Sequence, residues 1–272
     1  LSSVALECAK ECGVLVRIAH SHNSNQDKNI KYIMKQHYRK KIPQFATELF
    51  ACGKDAGDWM FTGHRYKILY NAINTSVYTY SFEKAVTIRE KLHVEQNLVI
   101  GHVGRFDAQK NHTFLLDIFS ECVNIVPNAR LLLVGDGEGR TQIQEKAKSL
   151  GLEEKVIFTG VRNDVADLLQ AMDVFVFPSL YEGVPVTMIE AQASGLPCVI
   201  SDGVPKDCVI TSGLVTSMKL SDRPCDWAKH IAAQLNRKRE NHLEEIQAAG
   251  YDIVTAAKEL ENFYLKKYGE ES

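Results

Sequence analysis

The sequence has no apolar run approaching the roughly 18 residues that a membrane span needs. No bilayer-crossing helix is expected. It also lacks a dominant charge: 32 Lys and Arg against 34 Asp and Glu leave a net charge of -2. Nothing global therefore points to nucleic acid. No CxxC pair is present, and the seven cysteines are scattered at 8, 12, 52, 122, 198, 208 and 225. Cys8 and Cys12 share a helix face, but no second pair completes a zinc site. An odd, dispersed set fits small core residues in a reducing cytosol rather than a disulfide framework. The G-x-G-x-x-G fingerprint is missing, and no Asp-x-Asp follows a strand to hold a metal. The first residue is Leu1, and a helical pattern starts at once without a capping sequence. Either a fragment of a longer protein or a naturally truncated one is expected.

What is present is ordinary for a globular α/β protein. The 272 residues are 45% hydrophobic and 24% charged, with room for two domains. Charge is uneven, since residues 1–70 hold eleven Lys/Arg against six Asp/Glu. Val4 to Glu11 is amphipathic, and Val14 to Ala19 reads as a strand. The polar loop His20-Ser21-His22-Asn23-Ser24-Asn25 follows it. Such loops at the carboxyl ends of strands are where open α/β sheets place ligands, although two surface histidines in a loop are common. Residues 27–41, DKNIKYIMKQHYRKK, read as a basic helix closed by Pro43. Its stripe is Ile30, Ile33, Met34 and Tyr38. A basic amphipathic helix can lie on an anionic membrane, and a solvated helix with a buried stripe has the same pattern.

From Leu98 onward the alternation is regular. Strands are expected at 98–103, 130–134, 155–158, 173–177 and 198–201, with helices at 112–125, 140–149, 164–171 and 186–194. This spacing predicts a parallel sheet covered on both faces. A last amphipathic helix is expected at about 251–267, with Tyr251, Val254, Leu260, Phe263, Tyr264 and Tyr268 on its apolar face.

The richest stretch is FPSLYEGVPVTMIEAQASGLPCVISD, Phe177 to Asp202. Glu182 and Glu190 flank the turn Gly183-Val184-Pro185, and Pro185 suits a helix's first turn. Side chains lean toward a helix N-terminus, so Glu190 points back toward the loop that holds Glu182. Free N–H groups at that helix mouth favour an anion. Loop Gly104 to Asn111 adds Arg105 and Lys110, a planar fork and a compact charge suited to phosphate. The alternative is an Arg105–Asp107 pair beside a solvated lysine. Two cations with a helix N-terminus suggest a diphosphate, and carboxylates beside them suggest hydroxyl-rich sugars. Together they read as a site for a sugar nucleotide.

GRFDAQKN, LLLVGDGEGR, FTGVR, DVFVFPS and YEGVPVTMIEAQASGLPCVISD occur in that order. They resemble the retaining GT-B glycosyltransferases of family GT4 (glycosyl transferases group 1), over essentially all of 97–270. The resemblance is to the capsular and exopolysaccharide type, and VRIAHSHNS and LYNAINTSVY continue it upstream. Ala72 and Asn74 depart from the usual Gly and Asp.

The resemblance implies two Rossmann-like domains: a partial acceptor-side domain with linker at 1–95, a complete nucleotide-sugar domain at 96–250, and a covering helix at 251–272. Arg105 and Lys110 would bind the donor diphosphate, Glu190 the ribose and Glu182 the donor sugar. Gly183, Val184 and Pro185 would lie against the donor and Val161 beside the base. His20 or His22 would meet sugars at the cleft, with His22 placed in the catalytic set alongside Arg105, Lys110 and Glu182.

The implied reaction moves a hexose from a UDP-sugar to a glycan or lipid-linked acceptor with retention, without metal or cofactor. The implied location is cytoplasmic; the basic pattern of 27–41 leaves open a peripheral contact with anionic membrane beside the solvated-helix reading. Two alternatives stand beside it: a non-catalytic sugar-nucleotide-binding remnant, and a sugar-nucleotide epimerase.

Overall fold

The computed structural model describes residues 2–22, 32–211, 213–234 and 237–269. The chain forms two compact units, residues 1–72 with 250–272, and residues 73–249. The boundary expected near 95 thus lies at 72/73. The residues after Ile73 join the second unit because Tyr78, Ile88 and Val94 pack into its core.

In the first unit the order is α1 (Ser3–Glu11), β1 (Ile18–Ser21), α2 (Tyr32–Phe45), β2 (Glu48–Ala51), α3 (Lys54–Met60) and β3 (Lys67–Ile68), with α12 (Ile253–Gly269) returning to it. The three strands are parallel in the order β1-β2-β3. The first strand starts later than expected, so His20 and Ser21 lie in β1 and not in a loop. Residues 23–25 of that expected loop, and 27–31 of the basic helix, lie outside the described residues. Pro43 does not end α2 but sits within its last turn. Only Ile42 of this helix is buried, while Ile33 and Met34 face outward.

Phe263 of α12 packs edge-on against Phe50 of β2, at 5.1 Å between centroids. Tyr251 is buried just before α12, its ring tilted at 35° to that of Tyr70 with 4.5 Å between centroids. Val254 and Tyr264, assigned to the apolar face, are exposed. The Tyr268 side chain lies outside the described ones.

The second unit contains α4 (Thr75–Tyr78), α5 (Phe82–Leu92), β4 (Leu98–Val103), α6 (His112–Ile125), β5 (Ala129–Val134), α7 (Arg140–Ser149), β6 (Val156–Gly160), α8 (Val165–Ala171), β7 (Val174–Phe177), α9 (Val186–Ala193), β8 (Cys198–Ser201), β9 (Val215–Met218), α10 (Pro224–Ala232) and α11 (Leu243–Ala248). Its sheet is parallel, in the order β6-β5-β4-β7-β8-β9.

Each central strand is apolar on both sides, and its period of two splits it between two cores. Leu98, Ile100, Leu131, Leu133, Val174 and Val176 face α6, α7 and α10. Val99, Val103, Leu132, Val134, Phe175 and Phe177 face the opposite way, toward α5, α8 and α9. Leu115, Leu116, Ile118, Phe119 and Cys122 form the buried stripe of α6 at helical spacing. Each of these side chains contributes roughly 1.5–3 kcal/mol by leaving water.

Arg239 joins two helix ends. Its guanidinium donates to Leu169 O at 2.7 Å, Met172 O at 2.5 Å and Ser194 O at 3.4 Å, which caps the C-termini of α8 and α9. It also lies 4.7 Å above the Tyr80 ring. Burial lowers its pKa to about 10, so it stays cationic at neutral pH, where a helix C-terminus favours it. Arg239→Ala leaves these carbonyls without their donor. The expected loss is about 2–4 kcal/mol of unfolding free energy in urea titration. Arg239→Lys is expected to recover only part of it, because one ammonium cannot span both ends. A loss below about 0.5 kcal/mol would contradict this role.

Candidate donor-nucleotide site

Strand order reverses between β4 and β7. The chain leaving β4 turns to α6 on one face, and the chain leaving β7 runs to α9 on the other. The crevice outside the carboxyl ends at such a point is where α/β sheets place ligands. Loops 104–111 and 178–185 meet there, stitched together by backbone and side chain. Leu180 N–H donates to Gln109 O at 2.8 Å, and the Asn111 amide donates to Pro178 O at 3.2 Å. Asn111 takes the left-handed conformation (φ 54°) that ends the loop and starts α6, a conformation asparagine tolerates well.

Lys110 and Glu182 come together in this crevice. Lys110 Nζ lies 2.6 Å from Glu182 Oε1, with side-chain exposures of 16% and 6%. The ammonium also sits 4.6 Å from the Phe177 ring centroid, a cation–π contact from below. Gln109 Nε2 donates to Glu182 Oε2 at 3.1 Å and to Tyr181 O at 2.9 Å. Lys110 is therefore not solvated, and each Glu182 oxygen has a partner on loop 104–111. Gln109 was not singled out by sequence reasoning, although its place beside Lys110 in GRFDAQKN was available as a signal.

Arg105 is exposed, and its guanidinium carries no ion pair or hydrogen bond among the described residues. The Arg105–Asp107 pair considered above does not form. Asp107 Oδ1 instead accepts from the Lys110 backbone N–H at 3.1 Å. The base of Arg105 is nonetheless fixed. Gly104 N–H donates to Val134 O at 2.9 Å and Phe106 N–H to Asp136 O at 3.0 Å. Phe106 is buried and stacks on His112 at 4.3 Å. Gly135 makes this approach possible. Its φ is 137°, and a Cβ there would lie 2.1 Å from Gly104 O.

Glu190 is the fifth residue of α9, and it has its own partner. Tyr78 Oη donates to Glu190 Oε1 at 2.6 Å. Burial raises the Glu190 pKa, and the Tyr78 hydrogen bond only partly opposes this. Burial and then the hydrogen bond to Glu190 raise the Tyr78 pKa, so the phenol stays a donor. Helix α9 begins at Val186, with Pro185 at the N-cap (φ -73°, ψ 115°) and no side chain capping it. The helix thus starts at the expected Val186, directly after Pro185. Gly183 and Val184 lead into this mouth, Val184 packing on the core. Val161 is 79% exposed in the loop after β6, and its neighbour Arg162 pairs with Asp164 at 2.5 Å.

The two histidines of the first unit sit together. The His20 and His22 rings are 4.1 Å apart. Loss of water around the ring lowers the His20 pKa, and His22 adds to the effect.

Residues 97–237 match the sequence profile described as glycosyl transferases group 1. EpsF of Bacillus subtilis (strain 168), named as a glycosyltransferase, is 36% identical over 268 residues, covering 94% of this chain and 70% of EpsF. The UDP-Gal:alpha-D-GlcNAc-diphosphoundecaprenol alpha-1,3-galactosyltransferase of Escherichia coli is 29% identical over 150 residues. That match covers 54% of this chain and 39% of the relative. Among solved structures, Anabaena HepE in complex with UDP superposes with a TM-score of 0.83 at 21% identity, over 97% of this chain and 76% of HepE. HepE has also been solved with UDP-glucose. Among the described residues no helix is long and apolar enough to cross a membrane. Parallel sheets in both units and these matches agree: the chain belongs to the glycosyl transferases group 1 family and has the α/β architecture of GT-B enzymes.

Proposed function

We propose that this chain binds a UDP-sugar on its second unit and transfers the hexose, with retention, to a glycan or lipid-linked acceptor in polysaccharide synthesis. The observation that carries this is the Lys110–Glu182 pair at the strand-order reversal, with Arg105 unpaired on the same loop. The cations suit a diphosphate, and the carboxylates suit sugar hydroxyls. HepE's complexes with UDP and UDP-glucose and the UDP-Gal specificity of the E. coli relative support the choice of nucleotide. That relative's name also supports a lipid-diphosphate acceptor.

In this assignment Arg105 and Lys110 hold the diphosphate and meet the charge that develops as it departs, a fixed electrostatic role that needs no metal or cofactor. Glu182 exchanges its contacts on loop 104–111 for donor-sugar hydroxyls. Glu190 takes the ribose. The backbone of Gly183, Val184 and Pro185 lies along the donor, and Val161 lies beside the base. His20 and His22 belong to the acceptor side. The acceptor hydroxyl attacks on the face the diphosphate leaves, and the leaving phosphate takes its proton. Exposed Ile33 and Met34 beside Lys35, Arg39, Lys40 and Lys41 support a peripheral contact with anionic membrane.

Incubation with UDP-sugars and an acceptor is expected to release UDP coupled to a new glycosidic bond. Binding without turnover would favour the sugar-nucleotide-binding remnant, and interconversion of free sugar nucleotides would favour an epimerase. Arg105→Ala is expected to weaken UDP by roughly ten- to hundredfold in titration calorimetry, through loss of a charge-assisted contact. Unchanged affinity would remove Arg105 from the site.

Glu190→Gln separates binding from stability. The folded pKa of Glu190 is raised, so its ionised form is disfavoured in the folded state. Relative to an ordinary carboxyl, its stabilising share is complete below the unfolded value near 4.5 and is lost as pH rises through the raised folded value. Gln carries no charge and still accepts from Tyr78. Glu190→Gln is therefore expected to raise the apo melting temperature at pH 7 while lowering UDP affinity roughly tenfold. A lower melting temperature at pH 7 would contradict the burial argument.

A further inference from the structure

The hydrogen bond between Tyr78 and Glu190 joins residues 112 positions apart. Helix α4, which carries Tyr78, has only four residues, yet it is held at both ends. The Gln247 amide donates to Thr75 Oγ1 at 3.4 Å at its start. At its end Gln170 bridges, its amide donating to Tyr78 O at 3.4 Å and its Oε1 accepting from Ser81 N–H at 2.9 Å. Gln170 is itself buried. The Tyr78 ring packs against the core on the α8–α9 side of the sheet. The phenol is thus presented by fixed backbone and fixed ring to one oxygen of one carboxylate.

We propose that Tyr78 is a positioning residue of the donor site, which holds Glu190 so that its remaining acceptor capacity meets the ribose hydroxyls. This rests on the assignment of Glu190 to the ribose. Without the phenol, the glutamate has three rotatable side-chain bonds and a half-buried oxygen lacking its donor. The carboxylate would then turn toward water or spread over several rotamers, and the ribose contact would need ordering at the moment of binding. Tyr78 supplies that order beforehand, as preorganisation of a binding group requires. Phenylalanine at this position would keep the ring packing and lose only the donor.

The test is titration calorimetry of the chain and its variants with UDP, 2′-deoxy-UDP and 3′-deoxy-UDP. The ratio of UDP affinity to that of the weaker deoxy analogue isolates the ribose contact. Tyr78→Phe is expected to lower this ratio roughly three- to tenfold, mostly by weakening UDP, while the melting temperature shows a folded protein. In a Glu190→Gln background the same substitution is expected to leave the ratio where Glu190→Gln alone puts it. A purely structural role would weaken all three ligands alike and leave the ratio unchanged, which would overturn the proposal. Tighter UDP binding by Tyr78→Phe would also overturn it, since the phenol would then be competing with ribose. If Glu190→Gln collapses the ratio and Tyr78→Phe does not, the positioning role alone fails. If Glu190→Gln leaves the ratio intact, the ribose assignment itself fails.

Discussion

The ion pair of Lys110 and Glu182 is the interaction on which the site depends. Neither charge could stand alone at that depth, because removing one partner of a buried pair typically costs about 3–5 kcal/mol. The pair also joins two loops that leave the sheet toward opposite faces. Strand order puts those loops side by side, and the backbone bonds around Gln109 and Asn111 hold them in register. Charge neutralisation and loop registration are therefore one event. A ligand that draws on both partners, anionic at one end and hydroxyl-rich beside it, can replace the internal contacts without leaving either charge bare.

Positions that support the site lie well away from it. Arg239 fixes the C-terminal ends of α8 and α9, and α9 carries Glu190 at its fifth residue. Movement of that helix would move the carboxylate relative to loop 104–111. Gly195 tightens the same end: its φ is 62°, and a Cβ would meet Glu240 O at 2.2 Å. The chain at Glu240 thus packs against the base of α9. Stabilising contacts concentrate at the C-terminal end of this helix, one turn beyond the half-buried, raised-pKa carboxylate of Glu190.

The sheet of the second unit was legible because its strands are apolar on both faces and end in Gly-bearing loops. Lys110, Glu182 and Glu190 were legible because charged groups interrupt that pattern at strand and helix ends. The region after β8 was not. Helix α10 buries Trp227, which donates to Lys219 O at 3.2 Å, but charged and small residues surround it in sequence. Strand β9, VTSM, carries no continuous apolar run. Tyr78 was invisible for another reason. A four-residue helix has no periodicity, and its value lies in a partner that only the folded sheet brings near. In the first unit, β1 began later than expected, because residues 14–17 are irregular, with Arg17 binding the Phe45 and Val14 carbonyls.

Two buried histidines, His102 and His112, lie beneath loop 104–111. His102 lies in β4 where an apolar residue would be expected, and its ring is 4.6 Å from that of His112 at the start of α6. His102 Nδ1 lies 2.8 Å from Val176 O, an acceptor, so this nitrogen carries the proton and Nε2 does not. Burial holds the His102 pKa well below its ordinary value, and the neighbouring His112 adds to the effect. For His112 burial is again the main cause, lowering the value to about 4, and Lys110 contributes in the same direction against the opposing pull of Asp107. Both rings are neutral at physiological pH. Imidazoles beside Lys110 then add polarisable surface, stacked on Phe106 and Phe177, without adding positive charge. The cationic side chains of loop 104–111 are then Lys110, paired with Glu182, and the exposed Arg105. Burial thereby keeps these two histidines from adding charge to the crevice at physiological pH.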